Sequence, residues 1–450
     1  MIRNWLLLLV LTTRISAYAD LTFPPGKLIE KVTCKSDPSQ SYALYIPIKA
    51  GNAPSPVIYL FDPHGDGTLP LKKYRTLADA YGYILAGSNN SKNGNDWAST
   101  ENIWRHLSDD SKSRLKINEA RMYTCGFSGG AKVACYIALQ HPGIKGVIAG
   151  GAGLPDGVPA RDYDFSFTAI AGEGDMNLTD LVALDGNLAS TRTRHRIIIF
   201  DGKHEWAPES TMDLAFAGLL FDAIRQGSIP KDNALIGRYV KNSKTRLATY
   251  LQTHRLIKAM QECQLSISLL DGLTAETSWF QVQAASLAND SQYQLELRSR
   301  QSLLAREQDI KAEYMQHFQQ QDMSYWTTAI HDLQIKAAAK TPERGMYQRL
   351  LAYLSLAFYS FGNRLISTNE NEGGRYFTEL YKTADPTNSE AWYFSAILHV
   401  REKNGQAAGH DLEKAVKCGF NDKNRLILQP EFKTLDLSRI IAAIQQAAAR

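Results

Sequence analysis

The chain has few cysteines and no large excess of either charge. Only 5 of its 450 residues are cysteine. Their number is odd, and their spacing matches neither a metal-binding knuckle nor a dense disulfide framework. The formal net charge is +4, and the basic residues are scattered rather than clustered. We therefore predict no nucleic-acid partner, and the sequence assigns no disulfide.

Long apolar runs are also missing beyond the first twenty residues. There, the basic start MIRNW precedes the short apolar stretch LLLLVL and the small-residue sequence AYA, just before Asp20. This order is typical of a secretory signal peptide, and the apolar stretch is far shorter than the ~20 residues of a membrane-spanning helix. We predict a signal peptide over residues 1–19, a periplasmic or secreted mature protein, and no membrane span after cleavage.

Short apolar runs alternate with helical patterns between about residues 40 and 205. Several of these runs lack polar–apolar alternation, which is typical of strands covered on both faces. Alternating strands and helices predict a doubly wound, mainly parallel α/β sheet with helices on both faces. The predicted strands are YALYIPI (42–48), PVIYLF (56–61), YILAG (83–87), RMYTCG (121–126), GVIAG (146–150), FTAIAG (167–172) and RIIIF (196–200).

The composition changes at about residue 235. Strand-like runs give way to stretches rich in Ala, Leu, Gln, Glu and Lys, such as AREQDIKAEYMQHFQQQ. We predict an α/β domain over residues 20–230 and an all-helical domain over 235–450. The last part resembles a tetratricopeptide repeat, although any antiparallel helix pair could give the same pattern. The residues at the repeat's bulky and small positions are Trp392, Ala396, Ala408, Leu412 and Ala415.

A glycine-flanked serine follows one of the predicted strands. The sequence GFSGG (126–130) stands between the strand RMYTCG and the helical pattern GAKVACYIALQ. Gly126 and Gly130 leave room for a tight turn that exposes the Ser128 hydroxyl, and the helix start offers amides to a developing negative charge. This segment resembles the nucleophile elbow of the α/β-hydrolase family. The doubled glycine after the serine resembles the same position in esterases, polyhydroxybutyrate-type polyester depolymerases and prolyl-oligopeptidase-like enzymes. The resemblance to the family covers about residues 40–225.

The resemblance implies two partners for Ser128 at the ends of later strands. A histidine is expected after the last strand, where GKHEWAP places His204. An acid is expected after the strand FTAIAG, where GEGDMN offers Asp175, with Glu173 and Asp180 as rivals. The order serine, aspartate, histidine is the one that the family uses. We predict a catalytic triad of Ser128, His204 and Asp175.

The resemblance also implies an oxyanion hole of two backbone amides. One is expected from Gly129, and the other from Gly65 or Asp66 in the sequence HGDG after the strand PVIYLF. Trp206 could form a wall against the substrate or brace its loop, and Asn177 could orient the acid loop. The predicted substrate-binding residues are Trp206, Asn90 and Asn177.

We therefore expect a serine hydrolase that cleaves a small-molecule or polymeric carboxylic ester, in the manner of carboxylesterases or feruloyl esterases, through an acyl-enzyme. No metal or organic cofactor is implied. The linker between Gly150 and Asp164 is too short for a cap domain, so the cleft is open unless the helical half covers it. The helical half could bind a protein partner. A serine peptidase of the prolyl-oligopeptidase-like type is the alternative within the family.

Two readings from other classes compete. Asp62-Pro63-His64, Gly174-Asp175 and Gly202-Lys203-His204-Glu205 resemble a scrambled ligand set of a dinuclear metallophosphoesterase. The gap between the first two elements is too long for that family, and a lysine stands where it has asparagine. The second alternative is a non-catalytic hydrolase-like domain that serves a helical binding scaffold. It leaves the serine, histidine and aspartate without a reason to occur together.

Overall fold

The computed structural model describes residues 23–51, 53–318 and 320–448. The predicted signal peptide and its cleavage site lie outside these residues. In the part of the chain that is described, no helix combines the length and the apolar character needed to cross a membrane.

Eight strands form one sheet in the order β1-β2-β4-β3-β5-β6-β7-β8. The strands β3 to β8 run parallel, whereas β2 is antiparallel to both β1 and β4. This order and the helical second half confirm the predicted fold class, an α/β-hydrolase sheet followed by an all-helical region. The strands are β1 (Leu28–Thr33), β2 (Ser41–Tyr45), β3 (Ser55–Phe61), β4 (Ile84–Ser88), β5 (Ile117–Phe127), β6 (Ile144–Gly150), β7 (Ser166–Gly172) and β8 (His195–Phe200).

The helices of the first half cover both faces of the sheet, and those of the second half follow without an intervening strand in the described residues. They are α1 (Thr68–Tyr81), α2 (Trp97–Arg114), α3 (Gly129–Gln140), α4 (Leu178–Leu188), α5 (Glu209–Arg225), α6 (Asn233–Gln252), α7 (Leu256–Leu270), α8 (Thr277–Ala288), α9 (Ser291–His317), α10 (Met323–Ala338), α11 (Arg344–Ser367), α12 (Asn371–Ala384), α13 (Ser389–Arg401), α14 (Gly405–Lys417), α15 (Lys423–Leu428), a 3₁₀ helix (Pro430–Thr434) and α16 (Ser438–Ala448).

Strand β3 shows why the central strands are apolar throughout. Ile58 and Leu60 belong to the hydrophobic cluster on one face of the sheet, and Val57, Tyr59 and Phe61 belong to the cluster on the other. Each residue is removed from water whichever way it points, so the strand needs no polar face. Strand β1, LIEKVT, was not predicted, because its charged and exposed positions give it no such apolar run.

The first helices of the predicted helical domain share the core of the sheet. Side chains of α6, α7 and α8 lie in the same hydrophobic cluster as those of α1, α5 and the sheet. Arg225, at the end of α5, donates hydrogen bonds to the carbonyl oxygens of Ser268, Leu269 and Asp271 at the end of α7. The composition shift at about residue 235 therefore marks the end of the strands rather than the limit of the sheet's core.

A separate hydrophobic cluster begins in α9 and holds α10 to α16 together. Within it, α13 and α14 pack against each other as a helix pair across the short turn 402–404. Ala396, Ala408, Leu412 and Ala415 are buried between helices of this cluster. Trp392 is half-buried, and the ammonium groups of Lys382 and Lys414 lie 4.9 Å and 5.6 Å from the centre of its ring.

All five cysteines are free. Cys125 and Cys135, which flank the serine turn in sequence, are fully buried. Burial raises the pKa of both thiols far above the ordinary value, because a thiolate would lose its hydration. These two residues therefore act as small apolar core side chains.

Candidate active site

Ser128 forms the turn between β5 and α3. Its backbone has φ 53° and ψ −123°, a conformation that costs energy for any residue with a side chain. Gly126 and Gly130 make this turn possible, because a Cβ on either would overlap a backbone carbonyl oxygen. The overlap would be with Gly130 in the first case and with Phe61 in the second. The turn therefore lets α3 start close to the end of β3 and points the serine outward.

The Gly130→Ala substitution should destabilise the protein by about 3 kcal/mol, the upper end of overpacking costs. The added methyl group would overlap the carbonyl oxygen of Phe61, and backbone cannot move aside as a flexible side chain can. Urea unfolding measures the change. Gly186→Ala is the control, since Gly186 lies within α4 and a Cβ there meets nothing. If both variants unfold at the same urea concentration, the close approach of α3 to β3 is not real.

His204 and Asp175 meet Ser128 at the carboxyl edge of the sheet. Ser128 follows β5, Asp175 follows β7 and His204 follows β8, so the parallel strands bring all three to one edge. The His204 Nε2 atom lies 3.0 Å from Ser128 Oγ, and its Nδ1 atom lies 2.9 Å from Asp175 Oδ1. The three side chains therefore form a continuous hydrogen-bonded row.

The imidazole of His204 is fixed by packing as well as by hydrogen bonds. The ring of Phe127 lies 4.7 Å from it, centre to centre. Gly151 approaches on another side, with φ +65°, and a Cβ there would lie 2.9 Å from the imidazole Cε1 atom. His204 therefore has little room to turn away from Ser128.

Asp175 is 1% exposed and is held by its own loop. Its Oδ1 atom also accepts a hydrogen bond from the Asn177 amide N–H at 2.9 Å. The Asn177 side chain donates to the carbonyl oxygen of Gly151 at 2.7 Å. Of its two predicted roles, Asn177 therefore takes that of orienting the acid loop, because its side chain is committed to backbone.

Trp206 braces the loop that carries His204. It is buried, its ring packs against those of Phe127 and Tyr74, and its indole N–H donates to Asp62 Oδ2 at 2.8 Å. Burial would raise the pKa of Asp62, but hydrogen bonds from His64 and Trp206 outweigh it and hold that pKa below the ordinary 3.8. Trp206 was a candidate substrate wall, and the structure assigns it the bracing role instead.

Trp206→Phe should destabilise the protein by about 1–3 kcal/mol at pH 7, since the buried Asp62 carboxylate loses a donor. A lowered carboxyl pKa stabilises the fold above the unfolded-state pKa, and this contribution fades as the pH falls through the folded-state value. The stability difference from wild type should therefore be largest above about pH 4 and shrink below it. Urea unfolding from pH 7 to pH 3 measures it, with the half-exposed Trp279→Phe as control. A difference that stays constant over this range would contradict the role of Asp62.

The predicted oxyanion donors differ in availability. The Gly129 amide lies in the first turn of α3, where helix geometry provides no intrahelical acceptor. The Gly65 amide donates to the Asp62 carbonyl oxygen at 3.1 Å, so Gly65 is not a donor to a substrate. Asp66 is left as the candidate from this loop. Its carboxylate accepts the amides of Thr68 and Leu69 and so fixes the loop at the start of α1.

Asn90 does not reach the serine turn. Its Oδ1 atom accepts the Ser41 amide at 2.8 Å and its Nδ2 atom donates to the Ser39 carbonyl oxygen at 3.0 Å, so it anchors the start of β2. The residue that does reach the turn is Asn93, whose side chain lies against Gly129. The sequence SNNSKNGND has four asparagines in nine residues, and nothing in it distinguishes the one that meets Gly129.

This arrangement can perform nucleophilic chemistry. With Nδ1–H donating to Asp175, the Nε2 atom of His204 is free to accept the Ser128 proton. The residues of the metallophosphoesterase alternative are engaged otherwise, Asp62 with Trp206 and His204 with Ser128. Throughout residues 23–51, 53–318 and 320–448, no three His, Cys, Asp or Glu side chains are grouped to hold a metal ion.

Known proteins show only weak similarity to this chain. No protein-family model and no curated protein matches it. An esterase from Pyrobaculum calidifontis is 10% identical with a TM-score of 0.34, over 40% of this chain and 78% of its own. An S-formylglutathione hydrolase from Agrobacterium tumefaciens is 17% identical with a TM-score of 0.34, over 44% of this chain and 94% of its own. An acylaminoacyl peptidase from Pyrococcus horikoshii is 12% identical with a TM-score of 0.31, over 41% of this chain and 39% of its own.

With TM-scores this low, these likenesses carry no argument about this chain. The α/β-hydrolase fold of the first half rests on its own strand order and on the position of the serine turn after β5. Any statement about substrate or mechanism rests on the side chains at the carboxyl edge of the sheet.

Proposed function

We propose that this protein is an exported serine hydrolase that cleaves carboxylic esters through a covalent acyl-enzyme. The observation that carries the proposal is the row of contacts from Ser128 Oγ through the His204 imidazole to Asp175, with 3.0 Å and 2.9 Å between the contacting atoms. The strained backbone at Ser128 supports it further, because φ 53° with ψ −123° is costly for a residue with a side chain, and strain of this kind is concentrated at active sites.

The reaction begins when His204 Nε2 takes the hydroxyl proton as Ser128 Oγ attacks the ester carbonyl carbon. The resulting imidazolium lies against the Asp175 carboxylate, which stabilises its charge. The negatively charged oxygen accepts hydrogen bonds from the amides of Gly129 and Asp66, and the positive end of the α3 dipole also stabilises its charge. His204 then protonates the leaving alcohol, and the acyl group remains on the serine.

Water completes the cycle. His204 removes a proton from a water molecule, which attacks the acyl carbon, and the acid leaves as Ser128 regains its proton. Residues 151–165 contain neither helix nor strand, so this segment supplies no cap over the serine. We propose that the cleft at Ser128 is open enough for bulky esters, whether small molecules or polymers. The helical region borders this cleft.

The experiment is hydrolysis of p-nitrophenyl esters of increasing acyl length beside p-nitroanilides of short peptides, with excess chelator as a parallel condition. The proposal predicts ester turnover that the chelator does not abolish. Hydrolysis of anilides but of no ester would move the assignment to a serine peptidase. Loss of all activity in chelator would show that a metal ion is required and would contradict the serine mechanism, and no turnover of either substrate would favour the binding scaffold.

We propose in addition that the pair α13 and α14 is a tetratricopeptide-like unit and a platform for a protein partner. Its small residues are buried at the helix contact, as in that repeat, and the two helices are joined by a turn of three residues.

A further inference from the structure

The loop that carries Asp175 is held from outside by the helical region. This acid loop, residues 173–176, follows β7. Its inner side presents the Asp175 carboxylate to His204. Its outer side contacts α9 and α11, which lie more than 110 residues further along the chain. The contacts on the outer side are made by charged side chains.

Arg349 of α11 binds the beginning of the acid loop. Its Nη1 atom donates to the Glu173 carbonyl oxygen at 2.7 Å, and its Nε atom donates to Glu307 Oε2 at 2.7 Å. Arg349 is 5% exposed and Glu307 is 0% exposed. One guanidinium therefore joins the acid loop to the buried Glu307 of α9.

Lys311 of α9 binds the other end of the acid loop. Its ammonium group donates to the Met176 carbonyl oxygen at 3.1 Å and forms an ion pair with Glu307 Oε1 at 2.7 Å. The carboxylate of Glu307 thus orients both Arg349 and Lys311. The two carbonyl groups that they bind, those of Glu173 and Met176, flank Asp175 in the sequence. We call Arg349, Lys311 and Glu307 the clamp.

The side chain of Glu173 adds a second attachment. Its carboxylate lies 3.0 Å from the Lys258 ammonium group of α7 and 3.2 Å from Arg300 of α9. Burial would raise the pKa of Glu173, but the charges of Lys258 and Arg300 outweigh it and lower that pKa. The carboxylate therefore stays charged and paired, and the acid loop is attached to the helices through side chain as well as backbone.

We propose that Arg349, Lys311 and Glu307 are positioning residues that hold Asp175 against His204, so that the helical region is part of the catalytic unit. A buried ion network adds little net stability compared with apolar packing, so a geometric role explains its presence better than a stabilising one. A displacement of about 1 Å in a catalytic group can lower the rate about a hundredfold. The inference rests on the proposed function, because the clamp is expected to change the rate only through Asp175 and its contact with His204.

The test is Arg349→Lys in the full chain, with Arg401→Lys as the matched control. Arg401 has the same pattern of contacts inside the helical region. Its Nε atom donates to Glu431 Oε1 at 2.9 Å, and its Nη1 atom donates to the Ile366 carbonyl oxygen at 2.9 Å. Lysine keeps the charge at both positions, but its single nitrogen cannot occupy the places of both the Nε and the Nη1 atoms, so it cannot keep both hydrogen bonds of the arginine. Only at position 349 does the second acceptor belong to the acid loop.

We expect Arg349→Lys to lower kcat for ester hydrolysis about 10- to 100-fold with KM changed less than about twofold, and Arg401→Lys to leave both unchanged. In an Asp175→Asn background, Arg349→Lys should lower kcat less than about twofold, because the residue that it positions no longer acts. Lys311→Met, which keeps the aliphatic stem, should show the same pattern with a smaller loss in kcat and serves if the arginine variant does not fold.

Equal kcat in the two lysine variants, or an undiminished effect of Arg349→Lys beside Asp175→Asn, would overturn the positioning role. Failure of the proposed function gives a different result. In that case, the wild type itself hydrolyses no ester and is not labelled by a fluorophosphonate.

Discussion

Replacing Ser128 with alanine is expected to lower kcat for ester hydrolysis about a million-fold, leaving only the rate that binding and the oxyanion amides supply. The alanine removes the atom that forms the acyl-enzyme, and His204 has no other hydroxyl partner in the described contacts. The helix that follows the turn is untouched, so the unfolding midpoint should not fall. Turnover of a p-nitrophenyl ester, followed with enzyme at high concentration, measures the loss.

Two further variants make this result specific. His204→Ala alone, and together with Ser128→Ala, should give the same residual rate as Ser128→Ala, because members of one catalytic unit are not additive. Ser190→Ala is the matched control, since Ser190 is an exposed serine whose hydroxyl bonds only to the Asn187 carbonyl oxygen. If Ser128→Ala retains more than about a hundredth of the wild-type kcat, the hydroxyl is not the nucleophile.

Asp175→Asn is expected to lower kcat about 10,000-fold with little change in KM. The neutral amide cannot stabilise the imidazolium, and its NH₂ group favours the imidazole tautomer that cannot take the serine proton. The asparagine is nearly isosteric, so the fold should be retained. Steady-state kinetics and urea unfolding of the same preparation separate the two effects.

The rival acids of the loop are the controls for this variant. Asp180 is exposed in the first turn of α4, and Asp180→Asn should change kcat less than about twofold. The Glu173 carboxylate pairs with Lys258 and Arg300 rather than with His204. Glu173→Gln should therefore change kcat only by shifting the acid loop. The loss in kcat should be far smaller than that of Asp175→Asn. A larger loss for Glu173→Gln would show that the wrong carboxylate has been assigned.

The sequence was sufficient to predict the parallel strands and to place Ser128, His204 and Asp175 at one edge of the sheet. Strands such as β3 are buried on both faces and therefore apolar throughout, which makes them easy to identify. The three polar residues follow such strands, and parallel strands bring their carboxyl ends to one edge. Strand β1 could not be found, because half of its residues are exposed and its place depends on pairing with β2.

The details of the site depend on contacts that no local pattern contains. Whether the Gly65 or the Asp66 amide faces the serine turn depends on a loop hydrogen bond to Asp62. Trp206 braces its loop because its indole N–H donates to the carboxylate of Asp62, 144 residues earlier in the sequence. Arg349 and the carbonyl group of Glu173 are 176 residues apart in sequence. Contacts at such separations are set by the packing of whole helices, and only the folded chain reveals them.

The most direct measurement is mass spectrometry of the intact, folded protein after reaction with a fluorophosphonate, followed by mapping of the modified peptide. Attack by an activated serine is predicted to give one adduct per chain, located on Ser128. The adduct should be absent from His204→Ala, in which the serine is present but no base removes its proton. An adduct on another serine, or an unmodified protein that still hydrolyses esters, would contradict the assignment of Ser128 as the nucleophile.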